Sequence, residues 1–421
     1  MEKSQMKKLL PKQVSDRNTK RPLCVLDALV LLILFPAMVF GADFTNIKTD
    51  VSGYVKSLNF VTRTSLLTPE FVDRPTAFAK ENSNVFNSLE RARFQIRTSV
   101  PMKNNKRAVL KIDYDHQPYF GTFVSTGDFR TAKKQSEDRQ FLDLSQTLVE
   151  EDNIFYEHRL YRASLAYESD LFDLEIGRQQ IPWGVGHFFT PTDLFNPFNP
   201  TQIELEERDG VDAVNFTLKN TKGFKTQLVY TPGGRKLHPQ RYLGRISRDV
   251  KGYEIGILGG RVKRDHVIGT DLQGNVRGSA VRGEFLFREA ELEKDFFKFT
   301  VNADYNLPHN IYVLMEYHFN GQGRRDPDDY QIDRFIRGEI QQLGKNFLAL
   351  SLGYDLTSLI RFEYRTIYNL NDTSLFMRPE IQYELMSNVL LAAGSQLFVG
   401  ANNDEFGRPK NLFFGEVKYS Y

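Results

Sequence analysis

From residue 48 onward the apolar positions of this chain recur with a period of two. Ala92, Phe94, Ile96, Thr98 and Val100 share one parity, and Arg91, Arg93, Gln95, Arg97 and Ser99 the other. Period two is the strand period, because successive side chains point to opposite faces. The pattern returns at Ala108, Leu110, Ile112 and Tyr114 against Lys111, Asp113 and Asp115. It returns again at Phe297, Phe299, Val301, Ala303 and Tyr305 against Lys298, Asn302 and Asp304, and at Ile360, Phe362, Tyr364 and Tyr368 against Arg361, Glu363 and Arg365. Met377, Ile381 and Tyr383 face away from Arg378, Glu380 and Glu384, with Pro379 as a blemish, since proline gives up a ladder hydrogen bond. A sandwich would turn such charged faces to bulk water, whereas a barrel turns them into its lumen.

The spacing predicts strands over 49–61, 88–100, 107–117, 155–168, 171–180, 210–219, 224–231, 251–268, 276–289, 295–306, 310–320, 345–356, 358–370, 373–387, 388–400 and 411–421. That is about 16, with 14 and 18 as the alternatives, and an even number as bacterial barrels require. Short turns fall on one side, among them Met102–Lys106, Asp271–Asn275 and Leu307–Asn310. Long connections fall on the other side: 62–87, 118–154, 181–209, 232–250, 321–344 and 401–410. The segment 118–154 reads as a solvated surface loop, with a short helix plugging part of the mouth as the alternative. The expected fold is all-β: a transmembrane antiparallel up-and-down barrel over 43–421 with an inward-folding third outer loop.

Composition agrees with that picture. Hydrophobic residues make up 41% and mean hydropathy is −0.43, too polar for a helical membrane protein and ordinary for a barrel in which only alternate residues meet lipid. Phe 34 and Tyr 19 against Trp 1 suit strands and interfacial girdles. Lys+Arg 55 against Asp+Glu 53 gives no nucleic-acid signature.

The N-terminus carries Lys3, Lys7, Lys8, Lys12, Lys20 and Arg21, then an apolar run from Ala28 to Phe40, then Gly41-Ala42. This describes a secretory signal over 1–42, with an uncleaved anchor helix as the lesser alternative. Residues 1–42 hold seven basic and three acidic residues, so the remainder has 48 against 50 and a formal charge of −2. Cys24 is the single cysteine, so the chain after cleavage would hold no disulfide and no thiolate ligand.

At the other end Phe413, Gly415, Val417, Tyr419 and Tyr421 alternate with polar neighbours and close the sequence on an aromatic residue. Here the chain resembles the Gram-negative outer-membrane barrels of the porin type. The resemblance implies that Phe413, Val417, Tyr419 and Tyr421 form an assembly signal read by the barrel-assembly machinery. It also implies that the loop after strand five, Ile181–Asp209, folds inward, as in 16-stranded porins. Gly177, Arg178, Gln179, Trp183 and Gly184 are similar to a pattern in a less-characterised porin-like group. Four prolines (182, 191, 197 and 200) stiffen this loop, and Glu204, Glu206, Glu207 and Asp209 make its end acidic. Set opposite Arg91, Arg93 and Arg97, these acids would create a transverse field at a pore constriction. Solvated loop carboxylates are the equal alternative.

No H-E-x-x-H, G-x-S-x-G or phosphate-cradling glycine loop is present, so no catalytic residues and no metal or cofactor site are expected. His116 and His158 flank one loop and are expected to be structural. The acidic runs 326–329 and 402–405 would hold calcium only weakly. The expected function is a water-filled channel for passive diffusion of ions and small polar solutes across the outer membrane, with lipid around it. The alternatives are a sheath around a partner multihaem cytochrome and a polysaccharide export channel. A homotrimer is the oligomer the resemblance implies.

Overall fold

The computed structural model describes residues 46–63, 84–197, 199–204, 208–219, 223–234 and 237–421. The signal expected over 1–42 lies outside the described residues. The described strands are β1 (Lys48–Arg63), β2 (Asn84–Met102), β3 (Lys106–Phe120), β4 (Ser145–Glu151), β5 (Ile154–Glu168), β6 (Phe172–Gln179), β7 (Val211–Lys219), β8 (Phe224–Thr231), β9 (Arg241–Val250) and β10 (Tyr253–Val262). They continue as β11 (Asp265–Val276), β12 (Ser279–Glu289), β13 (Phe296–Leu307), β14 (Ile311–Asn320), β15 (Asn346–Asp355), β16 (Ile360–Asn369), β17 (Leu375–Met386), β18 (Val389–Val399) and β19 (Leu412–Ser420).

Each wall strand pairs antiparallel with the next, and β19 pairs back onto β1, so the sheet closes. β3 pairs directly with β5, and β4 is a short extra strand on the outer part of the β5 edge. The wall therefore has 18 strands, two more than the pattern predicts.

The two additional strands come from one region. The segment 232–250, expected to be a long loop, contains β9. The single expected strand 251–268 breaks at Lys263-Arg264 into β10 and β11. The turn expected at 271–275 lies inside β11, and the chain reverses at Arg277-Gly278 instead. Lys251-Gly252 and Arg277-Gly278 have positive φ at both residues, at 56° and 82° and at 52° and 89°. Those are the dihedral signs of a two-residue hairpin turn, whose usual sequence is Asn-Gly or Asp-Gly. A long cation at the first position hides the signal.

Closure leaves one face outward. Leu228, Ile246, Ile257, Ile268, Val301, Met315 and Val417 are all exposed. A continuous exposed apolar band of this kind is a membrane-facing surface. The last strand follows the expected alternation, with Phe413, Val417, Tyr419 and Tyr421 exposed on that band. The Tyr421 hydroxyl donates to the Arg93 carbonyl at 3.2 Å, and its backbone exchanges hydrogen bonds with Gly53.

The inward face is charged, and its charges are mostly paired. Arg93 forks onto Asp115 with both groups fully buried, and Arg178 forks onto Asp212 at 3.0 Å. Such bidentate pairs are worth burying only because the geometry satisfies both partners. His116 and His158 meet on the outward face, rings 5.9 Å apart and hydrogen-bonded to Tyr156 and Tyr114. The segment 121–144 carries α1 (Gly127–Asp138), capped by Thr126 Oγ1 accepting from Phe129 N. Gln135 of α1 donates to the Ile336 carbonyl of α2 (Ile332–Ile336). This segment lines the lumen mouth rather than lying in solvent as a surface loop.

Candidate functional site

The connection between β6 and β7, residues 180–210, runs across the barrel interior and touches most of its wall. Ile181 and Trp183 start it by burying against Val211, Ala213 and Val229. The Trp183 indole N–H donates to Gln227 Oε1 of β8 at 2.7 Å, and its ring meets Phe195 edge-on at 4.9 Å. Gly184, with φ of 96°, then turns the chain inward, a conformation that favours glycine.

Two wall carboxylates hold the next stretch by its backbone. Glu284 of β12 accepts the N–H groups of Val185, Gly186 and Thr192 and the Thr192 hydroxyl. Glu316 of β14 accepts the N–H groups of His187, Phe188 and Phe189 at 2.7, 3.0 and 2.7 Å. Both carboxylates are buried and neither has a cation within ion-pair distance among the described residues. A bare buried carboxylate would cost several kcal/mol, so these N–H donors are what permit the burial. A side chain at Gly186 would strike the Phe189 carbonyl at 1.9 Å. The loop can therefore curl around the carboxylates only with glycine there.

The return path uses the opposite polarity. Arg378 of β17 donates to the carbonyls of Gln202 and Ile203 at 3.0 and 2.8 Å, and Gln396 of β18 donates to the Thr201 carbonyl. Glu204 then meets the other wall. Arg91 of β2 grips it bidentately at 2.9 and 2.8 Å, and Lys56 of β1 donates to the same carboxylate. Burial pushes the Glu204 carboxyl up, but the Arg91 and Lys56 charges outweigh that and hold it at about 2. Within the loop, Asp193 caps Phe195 and Asn196 and pairs with Arg208 at 2.8 Å. Burial pushes its carboxyl up to about 6.

Of the constriction residues expected from sequence, the structure brings Arg91 and Glu204 together. Arg93 is turned onto Asp115 and the Tyr161 ring, and so belongs to the wall. Arg97 is exposed, further down β2 toward the 103–105 turn. Asp209 lies 3.7 Å from Arg159 of β5. Glu206 and Glu207 lie outside the described residues. From sequence, Glu284, Glu316 and Arg378 read as wall charges of no special role, and Lys56 and Arg159 stand out in no way. Their task is to hold backbone groups, or a single partner far away in sequence, and no spacing rule reports that.

Beside the loop lies a cavity of about 990 Å³, bounded by β1, β2, β9, β12–β14 and α1. No group of three or more His, Cys, Asp or Glu residues suited to a metal occurs among the described residues. The acidic runs 326–329 and 402–405 are spent on structure. Asp326 caps Asp328, and Glu405 accepts from the Leu343 and Gly344 N–H groups.

A closed antiparallel barrel with a loop folded into its lumen defines a porin-type β-barrel. No protein-family model and no curated protein matches the chain. Among solved structures it is similar to OccAB4 of Acinetobacter baumannii, with a TM-score of 0.54 and 9% identity over 90% of this chain and 100% of that one. It is similar to OccAB3 of the same organism, at 0.54 and 10% over 88% and 99%. OccK7 (OpdD) of Pseudomonas aeruginosa gives 0.51 and 11% over 90% and 99%. At these identities the likeness is one of fold.

Proposed function

We propose that this chain is an outer-membrane channel through which ions and small polar solutes diffuse passively, with the loop 180–210 as its constriction. The observation that carries this reading is the loop itself. It narrows the lumen from within and leaves a cavity of about 990 Å³ lined by charged groups. A small solute fits such a passage. A folded cytochrome does not fit beside that loop, which disfavours the sheath alternative. The Arg91–Glu204 pair sets the local field on one side of the passage. The 18-strand wall and its apolar outer band are what an outer-membrane location requires, with export by the N-terminal signal and folding by the barrel-assembly machinery through the last strand. The reading assigns the chain no enzymatic activity.

The outward face of β1 and β2 supports self-association. Glu90 points outward, accepting from Ser57 and Ser88 at 2.8 and 2.6 Å, and Asn59 donates to Ser57. A carboxylate facing hydrocarbon is unfavourable, and a second copy would cover it. Native mass spectrometry of the detergent-extracted barrel tests this: a multimer that dissociates in Glu90→Leu supports it, and a monomer in mild detergent contradicts it.

Single-channel recording of residues 43–421 in a planar bilayer tests the channel itself. Discrete conductance steps with a reversal potential under a salt gradient that shifts in Arg91→Ala are expected. Folded barrels that never conduct would overturn the reading.

A further inference from the structure

On the wall facing away from the Arg91–Glu204 pair, one row of inward positions is basic. It runs through Arg288 of β12 and Lys298 of β13 to His318 of β14, and Arg241 of β9 lines the same cavity beyond the inward Val262 and Asp265 of β10 and β11. The register fixes the neighbourhood. Lys298 stands opposite Leu286 and Arg288 opposite Phe296, while Thr300 stands opposite His318. Lys298 is thus a diagonal neighbour of both Arg288 and His318, and all four residues line the same cavity.

Among the described residues, three of the four keep a nitrogen without a partner, and Arg288 does not. Arg288 is neutralised by Asp265 at 2.6 Å. Lys298 has no hydrogen bond and no ion pair among the described residues. Arg241, 6% exposed, has no carboxylate partner either; one terminal nitrogen reaches Thr231 and Pro239 at 3.4 and 3.3 Å, and its Nε has no acceptor. His318, 2% exposed, uses Nδ1 on the Thr300 hydroxyl at 2.9 Å, and its Nε2 has no partner. The tautomer that accepts from Thr300 leaves Nε2 as a donor. Buried donors of this kind are normally satisfied. Apolar surface borders them: the Phe189 ring stacks on His318 at 4.4 Å, and the Arg241 guanidinium sits 5.9 Å from the Phe195 ring.

We propose that Lys298 and His318 form an oxyanion-binding subsite in the channel, which takes a carboxylate or phosphate group against Lys298 and places any apolar body of the solute along Phe189, toward Phe195 and Arg241. The subsite deepens the channel reading and rests on it for access. A solute held here sits beside the loop, above the stretch gripped by Glu284 and Glu316. Both of those carboxylates already accept the loop N–H groups at 185–192, so those groups are not open to an incoming anion.

The test is calorimetric titration of the refolded barrel in detergent with benzoate and, separately, with inorganic phosphate, run beside single-channel recording in chloride. Saturable binding of at least one anion is expected, weakened roughly tenfold (about 1.4 kcal/mol) in Lys298→Gln, which loses a charge-assisted hydrogen bond. Lys298→Arg should bind nearly as well, and His318→Gln should bind less well while still folding, as judged by far-ultraviolet circular dichroism. Benzoate without phosphate assigns an organic carboxylate, and phosphate without benzoate an inorganic or phosphorylated solute. No saturable binding of either anion by a conducting barrel would overturn the subsite and leave the channel standing. Binding of equal strength in wild type and Lys298→Gln would also overturn it. Anion binding by a barrel that never conducts would keep the subsite and remove the channel.

Discussion

The two arms of the loop that crosses the lumen are held by opposite chemistry. The arm over β12 and β14 is gripped by wall carboxylates that accept its N–H groups. The arm over β17, β1 and β2 is gripped by wall cations that donate to its carbonyls and to Glu204. The first attachment depends on backbone and would tolerate most side chains along the loop, except at Gly184 and Gly186. The second adds one loop side chain, Glu204, to the backbone carbonyls that Arg378 holds. The difference places positional strength on one side of the lumen and tunable charge on the other.

Removing the backbone grip should have the largest effect. Each charge-assisted hydrogen bond contributes about 1.5–3 kcal/mol, and Glu284 and Glu316 together accept seven from the loop. The double change Glu284→Ala and Glu316→Ala should free the loop, raise single-channel conductance several-fold and expose 185–192 to limited proteolysis. Conductance equal to wild type would show that the carboxylates do not hold the constriction.

Breaking the side-chain grip should act on selectivity more than on conductance. In Arg91→Ala, Glu204 keeps only Lys56, and the local field turns more negative. Reversal potentials under a salt gradient should shift toward cations, by an amount that falls at high ionic strength. Glu204, held at about 2, stays charged across the accessible range, so this selectivity should not change between pH 7 and pH 5 on its account.

Much of this side was legible in the sequence. The period-two pattern announced the barrel, its outward and inward faces and the last strand. The acidic end of the loop and Arg91 pointed to each other through charge. The other arm was not legible, because Glu284 and Glu316 recognise N–H groups that every residue carries. The strand count fell short for a related reason: Lys251-Gly252, Arg277-Gly278 and Lys263-Arg264 reverse the chain with a long cation where Asn or Asp usually stands.

A smaller effect separates the loop interior from both grips. Asp193, raised to about 6, is charged at pH 7 and mostly neutral at pH 5. Acidification across that window removes a negative charge that faces Arg208 and the Arg241 side of the cavity. Anion preference should therefore rise from pH 7 to pH 5, and Asp193→Asn should show the higher preference at both values. The smallest change concerns the first anchor. Trp183→Phe keeps the packing on Phe195 and loses the bond to Gln227, at a cost of about 1 kcal/mol in urea unfolding.

The central claim is that the loop 180–210 lies across a conducting lumen and sets its width. It is met most directly by single-channel conductance of wild type and of the Glu284→Ala, Glu316→Ala double variant, measured in the same bilayer and salt. Small discrete steps in wild type and much larger ones in the variant are the expected result. Equal steps in the two, or no steps in either folded barrel, would contradict it.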